Sequence, residues 1–566
     1  MNVHPPSRRA FLTGVGGLVG APLVPPFGTA AGAARAAALP ARPNFVVVLS
    51  DDLGWAELGC YGQRLIRTPN VDRLAEQGLR FTNAYSGAPL CAPSRATLLT
   101  GLHSGHATVR ANPGDGPQRP LTPADVTFGS LLKLAGYRTA CIGKWGFGPE
   151  KPDQPSHPNS RGFDEFFGYI DHRHAHDYWP EYLWHNRRRV RLGRTRYAPN
   201  LFLEQAKRFI RRVAASGEPF LLFYPSTLPH APSDVPGDLG IYRDLPWSRA
   251  NRGHAAQVTL LDTQVGELVR ALREAGVADS TLLVFTADNG PHHEKGVDPE
   301  LFDSNGPLRA GKREMYEGGI RVPMIVWGPA LPRRRRVVDE PVAFWDLLPT
   351  LCDLAGVPIP DGIDGRSFRG LLDGSRYRGH DHLFWNRPGK AQAVRRGDWK
   401  AIRFRPGVAG AGPGGRFELY DLRTDLGERR DVARRHPDVV AELGALMDAA
   451  VGPDRRRPYG MHVTGSTSAV AGRPVALAVH LQNGSAAAWT GLRLRIAAPP
   501  GWRITGGAAP RTLRPGRSAR VLFTAVPPAG ETGEARLLAL ADFRADGRRV
   551  RFQARRTLEV RLGGEL

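Results

Sequence analysis

Asp51 and Asp52 follow the apolar run NFVVVLS, Lys144 closes the run that begins RTACIG, His230 comes soon after FLLFYPS, and Asp288 and Asn289 follow TLLVFTA. Each of these residues is ionisable or carries an oxygen donor. Two such pairs, delivered from separate strands, offer hard oxygen ligands that suit Ca²⁺ or Mg²⁺ far better than a transition metal. Arg95, Lys144, His230 and Lys312 would surround that ion with cationic donors. A divalent cation among positive side chains suits an oxyanion-rich group such as sulfate or phosphate, whose developing charge needs stabilisation in the transition state. The leaving group then needs an acid, and His230 is the candidate.

The stretch LCAPSRATLLTG adds a cysteine to this set. Pro93 and Ser94 suit a first helical turn, so Cys91 is expected at a helix N-terminus, where partial positive charge favours an anion. An ordinary thiolate nucleophile is one reading, but no partner set of a cysteine hydrolase is evident, and such enzymes do not use a carboxylate metal cage.

These residues need a scaffold that brings strand ends together. From Asn44 onward, short apolar runs alternate with amphipathic segments, which predicts a mostly parallel sheet with helices on both faces. The strands are NFVVVLS, RTACIG, FLLFYPS, TLLVFTA and VPMIVWG; VTFGSLLKLAG and HAAQVTLLDTQVGELVRALREAG read as helices. In such a sheet, ligands bind beyond the carboxyl ends of the strands, where the residues above lie. Past Asp361, AVRRGDWKAIRF and FELYDLRTD read as antiparallel strands of a smaller subdomain, followed by a helix near DVVAELGALMDAA. After the linker GPDRRRPYG, short strands and a turn at Asp546-Gly547 predict a β-sandwich over residues 463–562. That tail resembles the immunoglobulin-like accessory modules of bacterial secreted glycan-degrading enzymes, through APPGWRI and TLRPGRSARVLFT.

The chain of 566 residues exceeds what one core usually serves, and its 77 Lys+Arg against 54 Asp+Glu give a formal charge of +23. That excess favours anionic partners, and the alternative reading is an arginine-rich composition spread over the surface. Nucleic acid is not expected, because basic runs such as Arg333 to Arg336 lack interleaved aromatics. Arg8 and Arg9 precede a short Gly-rich apolar stretch and AARAAALPA, the pattern of a twin-arginine export signal over residues 1–40, with a mature start near residue 37 to 42. No stretch is long enough for a stable membrane anchor. The expected location is secreted, periplasmic or in the cell envelope. The four cysteines, at 60, 91, 141 and 352, match neither a dense disulfide framework nor a zinc pattern.

CAPSRATLLTG resembles the signature of the type I, formylglycine-dependent sulfatases of the alkaline phosphatase superfamily, in which the cysteine of Cys-x-Pro-x-Arg is oxidised to an aldehyde. Cys91, Pro93 and Arg95 match it. The resemblance runs through NFVVVLSDDLGW, TPNVDRLAEQGLRFTNAY, GYRTACIGKWG, FTADNG, LRAGKREMYEGGIRVP and ELYDLRTDLGERRDV, over roughly residues 43 to 452. It implies an alkaline-phosphatase-like catalytic α/β domain over 43–360 and a C-terminal sulfatase subdomain over 361–452. It also implies that Cys91 becomes formylglycine, whose hydrated form attacks sulfur, and that Asp51, Asp52, Asp288 and Asn289 hold one Ca²⁺ together with that residue. Arg95, Lys144 and Lys312 would orient and polarise, and His230 would protonate the departing oxygen.

The implied activity is hydrolysis of carbohydrate or aryl sulfates, and the implied partners are a formylglycine-generating enzyme and the twin-arginine translocase. Rival readings are a phosphonate monoester or phosphodiester hydrolase of the same superfamily, and a non-catalytic sulfated-glycan-binding protein. One departure is Gly146, where many relatives carry histidine after Gly-Lys-Trp. His103 and His106 are candidate replacements, and His172, His174 and His176 are candidates for the substrate pocket.

Overall fold

The chain is described from a computed structural model, which covers residues 39–113, 119–332, 336–406, 415–451 and 459–562. The expected export signal, apart from residues 39 and 40, lies outside the described residues, as do most of the linker after Gly452 and Arg333 to Arg335.

Asn44–Ser50 is buried along its whole length, as an uninterrupted apolar run must be when both faces of a sheet are covered. It is the middle of a ten-stranded sheet. On one side it pairs in parallel with Phe220–Pro225, which pairs with Arg138–Lys144, which pairs with Glu165–Tyr169. On the other side it pairs in parallel with Thr281–Ala287. The five central strands therefore point the same way, and their carboxyl ends open on one edge. Met324–Trp327 runs antiparallel to Thr281–Ala287. At the far edge Tyr182–His185 and Arg188–Arg191 form an antiparallel ribbon, so part of GYIDHRHAHDYWPEYLWHN extends the sheet.

Helices cover the sheet. Arg249–Glu274 starts with Ser248, whose Oγ accepts from the Asn251 N–H at 3.1 Å, and buries an apolar stripe that includes Val258, Leu261, Val265 and Leu268. Cys91–Thr100 differs, being buried on every side and ending at Gly101 with φ 72°, a left-handed cap that glycine adopts without strain. Leu90 supplies no side-chain cap. The Ala92 N–H instead donates to Asn112 Oδ1 at 3.0 Å.

Leu383–Arg387, Ala391–Arg396, Trp399–Phe404 and Arg416–Asp421 form a four-stranded antiparallel sheet, followed by the helix Pro437–Ala449. At its seam with the larger sheet, Lys400 Nζ lies 2.9 Å from both Glu317 Oε1 and Glu428 Oε1, all three fully buried or nearly so. Residues 460–561 form two facing sheets of four and five strands. Asp546 (φ 49°) and Gly547 (φ 73°) turn Gly533–Ala545 into Arg548–Arg561, the two-residue geometry that Asp-Gly favours. This β-rich unit docks through Arg548 on Asp353 at 2.9 Å and the Tyr459 hydroxyl on the Pro358 carbonyl at 2.7 Å, with Tyr459 held inside the unit by Trp489 and Phe552. All four cysteines are free. Among the described residues no helix is long and apolar enough to cross a membrane.

Candidate active site

The open edge of the sheet gathers the residues singled out in the sequence. Asp51 and Asp52 leave the end of Asn44–Ser50, Asp288 and Asn289 the end of Thr281–Ala287, and Lys144 the end of Arg138–Lys144. The first turn of Cys91–Thr100 points into the same space. Single oxygens of Asp51, Asp52 and Asp288 and the Cys91 sulfur all lie within 4.8 Å of one another, and all four residues are buried.

Cations flank these carboxylates. Lys144 Nζ donates to Asp51 Oδ2 at 2.7 Å, and Lys312 Nζ to Asp52 Oδ2 at 2.7 Å. The Arg95 guanidinium donates to Asp288 Oδ2 at 2.9 Å and to the Lys144 carbonyl at 2.7 Å. Asn289 Nδ2 donates to Asp52 Oδ1 at 2.7 Å, so its own Oδ1 is left buried and unpartnered, and Asp51 Oδ1 makes no hydrogen bond, with Arg95 Nη2 3.5 Å away.

Burial opposes ionisation of every carboxylate here, yet Lys144 and Arg95 hold Asp51 well below the usual range, and Lys312 and His230 hold Asp52 low. Asp288 differs: burial and then the Asp51 charge push it up to about 7. Burial and the carboxylates likewise push the Cys91 thiol well up, although Lys144 opposes them. An unmodified Cys91 is therefore a protonated thiol, whatever the helix N-terminus contributes.

The donor set fits a hard divalent cation. Three carboxylates crowd together, one reluctant to ionise; buried Asn289 Oδ1 has no donor, and Asp51 Oδ1 has only the Arg95 guanidinium at 3.5 Å. Three carboxylates against Arg95, Lys144 and Lys312 leave the cluster near neutral, so a bound divalent ion would make it net positive for an anionic substrate.

His230 Nδ1 lies 2.5 Å from the Ala231 carbonyl and so carries its proton there, leaving Nε2 to accept from Lys312 Nζ at 3.2 Å. Lys312 also pairs with Glu294 at 3.0 Å. Above them opens a pocket of about 360 Å³, lined by Leu90, Asn112, His172, Arg173, His176, His230, Glu294, Lys312 and Arg313 among others. His176 stacks on His230 with ring centroids 4.1 Å apart, and His172 meets His176 edge to face at 5.1 Å.

His174 points elsewhere and pairs with Glu150 at 3.0 Å. His103 and His106 do not replace the imidazole absent at Gly146. His106 Nδ1 lies 2.9 Å from Asp364, and His103 helps line a separate cavity with Trp345, Asp364 and Phe384. Sequence reasoning missed Glu294 and Asn112. Glu294 lies only five residues beyond Asn289, so proximity to a strand end was its available signal.

A parallel-centred α/β sheet with a carboxylate cluster and a cation-lined pocket at its strand ends defines a hydrolase of anionic esters. The sulfatase family profile matches residues 43–357, the N-sulphoglucosamine sulphohydrolase C-terminal profile residues 310–449, and the NPCBM-associated NEW3 domain of alpha-galactosidase residues 469–555. Steryl-sulfatase of Mus musculus is 32% identical, with 76% of this chain and 84% of its own covered. N-acetylgalactosamine-6-O-sulfatase of Bacteroides thetaiotaomicron is 29% identical, with 72% and 93% covered. The crystal structure of Ps i-CgsB in complex with k-i-k-neocarrahexaose superposes with a TM-score of 0.64 at 27% identity, covering 73% of this chain and 94% of that one. The chain belongs to the sulfatase family of the alkaline phosphatase superfamily, and it is a sulfuric ester hydrolase.

Proposed function

We propose that the protein removes sulfate from sulfated carbohydrate, with residue 91 oxidised to formylglycine and one Ca²⁺ held by Asp51, Asp52, Asp288, Asn289 and residue 91. The observation that carries this reading is the convergence of three buried carboxylates and Cys91 within 4.8 Å. When present, the aldehyde and the cation supply a hydrated carbonyl as nucleophile and a positive charge beside it.

The chain's own groups do the remaining work. Lys144 and Lys312 place ammonium charges beside Asp51 and Asp52, where sulfate oxygens gain charge. Arg95, fixed between Asp288 and the Lys144 carbonyl, holds those two strand ends in register. The Ala231 carbonyl fixes the His230 tautomer with Nε2 as acceptor of a Lys312 N–H, so a proton passed from Lys312 Nζ to Nε2 would reach the departing alcohol oxygen. The polar lining of the pocket and the sugar sulfatases among the relatives support a carbohydrate substrate.

The test is mass spectrometry of the peptide containing residue 91, from protein produced with a formylglycine-generating enzyme, combined with sulfate release from sugar and aryl sulfates. An aldehyde mass and sulfate release are expected, both absent in Cys91→Ala. An intact thiol under competent maturation defeats the proposal. Faster turnover of a matched phosphodiester than of the sulfate would favour the phosphorus-ester rival. Export by the twin-arginine translocase, which carries folded proteins, is proposed from Arg8 and Arg9. The aldehyde would then form before export, and a precursor still bearing the thiol inside the cell would overturn that order.

A further inference from the structure

Between Asp454 and Glu531 the sequence has no acidic residue. The four-stranded sheet of the C-terminal unit, made of Gly460–Gly465, Val475–Gln482, Ser518–Val526 and Arg503–Gly506, falls wholly inside that interval. Its register places His462, His480 and Arg520 in one cross-strand row. The two imidazoles stack with centroids 4.6 Å apart and planes inclined by 1°. Leu522, the next residue on the Arg520 side of its strand, is 58% exposed. Arg514 and Arg517 bracket the turn entering that strand, with the Arg517 N–H donating to the Arg514 carbonyl at 3.1 Å. Arg511, Arg514, Arg517 and Arg520 are all exposed. Among the described residues, neither these four nor Arg503 form a side-chain hydrogen bond or ion pair.

A surface that is basic only through composition would distribute its pairs evenly. Here the pairs concentrate on one side. Several arginines of the facing five-stranded sheet have carboxylate partners, Arg551 with Asp542 at 2.9 Å, Arg548 with Asp353 at 2.9 Å and Arg561 with Glu559 at 3.0 Å, while Arg493, Arg495 and Arg536 of that sheet are exposed without one among the described residues. That sheet also supplies Arg548–Arg561, one of the strands that meet the catalytic part. The acid-free sheet keeps its outer row in solvent. Unneutralised guanidiniums attract polyanions and present forked donors to oxyanions, and an exposed leucine with flat imidazoles beside them suits the apolar face of a sugar ring.

The geometry points to this face as a docking surface for a sulfated polysaccharide chain, separate from the pocket over Cys91. Arg514, Arg517 and Arg520 contact sulfate groups, and Leu522 and the His462–His480 stack contact the sugar. The inference rests on the reading that the substrate is a sulfated carbohydrate. It assigns the C-terminal unit the role of holding polymer near the pocket, so it governs apparent KM on polymers and leaves small esters untouched.

The test uses the full chain as Cys91→Ala, so that nothing is turned over, with dextran sulfate as probe and unsulfated dextran, duplex DNA and anionic phospholipid vesicles as comparisons. Binding to dextran sulfate is expected to exceed binding to each comparison at equal charge or sugar concentration, and to weaken as salt rises. Replacing Arg514, Arg517 and Arg520 together by alanine should weaken it about tenfold or more and flatten the salt dependence. In the matured enzyme, with formylglycine at residue 91, the same triple variant should keep its kcat/KM on 4-nitrophenyl sulfate. Unchanged affinity in the triple variant overturns the proposal, as does equal or tighter binding to DNA or vesicles. If dextran sulfate binds as expected while matured enzyme releases no sulfate, the catalytic reading fails and the docking surface stands.

Discussion

Lys144 Nζ lies 2.7 Å from Asp51 Oδ2, with both side chains fully buried. Breaking such a pair by removing one partner strands the other charge away from water, at about 3–5 kcal/mol. Lys144→Ala is therefore expected to lower the denaturation midpoint as well as activity. Lys144→Arg, which keeps the charge, should recover much of the stability. Denaturant titration of both variants checks this, and an unchanged midpoint in Lys144→Ala would contradict the pairing.

Ca²⁺ should stabilise the fold. Burial and then the Asp51 charge push Asp288 up to about 7, a penalty that a bound cation removes. At a hundredfold excess over its Kd, an ion that binds only the folded state adds about 2.7 kcal/mol. Melting curves with Ca²⁺ and with chelator should separate accordingly, and Asn289→Ala should shrink the gap. Identical curves would count against the assigned ligands.

Gly146 occupies φ +88°, and a Cβ there would lie 3.4 Å from Arg95 Cδ. Installing a histidine there, the residue the family resemblance leads one to expect, would force a side chain into left-handed backbone, at about 1–2 kcal/mol. Gly146→His is expected to lower the melting temperature and to leave sulfate release no faster. A variant that is both more stable and more active would refute this account.

The buried seam around Lys400 gives stability a pH dependence whose sign follows from its two carboxyls. Burial pushes Glu428 up to about 7, with Glu317 adding to the shift and Lys400 opposing it. A carboxyl raised in the folded state contributes stability at acid pH that is lost as pH climbs from its unfolded value near 4.5 toward about 7. Glu317 is held low, because Lys400 and Arg321 outweigh its burial. Its contribution is present above the unfolded value and lost as pH falls. Glu428→Gln should remove the loss between roughly pH 5 and 7 while keeping the acid-side loss. Unfolding midpoints of both proteins across that range measure it, and parallel curves would sink the assignment.

Much of the candidate site was legible because it is local to strand ends. In a parallel sheet, the residue after an apolar run lands on the ligand edge whatever the strand order. Asp51, Lys144 and Asp288 could therefore be named before their strands were known to be neighbours. The histidines were not legible in this way. His103, His106 and His172 sit in loops and His174 and His176 on the single 3-10 turn His174–His176, and sequence offers no rule for where a side chain on such irregular segments turns. The Asp364 carboxylate captures His106, Glu150 captures His174, and His176 stacks on His230.

The sequence by itself determined the period of each element, the residues at the strand ends and the cysteine at a helix start, because these follow from apolar runs and the residues that bound them. Tertiary structure alone decided the order of the ten strands and the burial that lifts Asp288 while Lys144 holds Asp51 down. It also decided which imidazoles reach the pocket and which arginines of the C-terminal unit stay unpaired. Each of these depends on contacts between residues far apart in the chain, whose energies vary with distance and burial rather than with spacing along it.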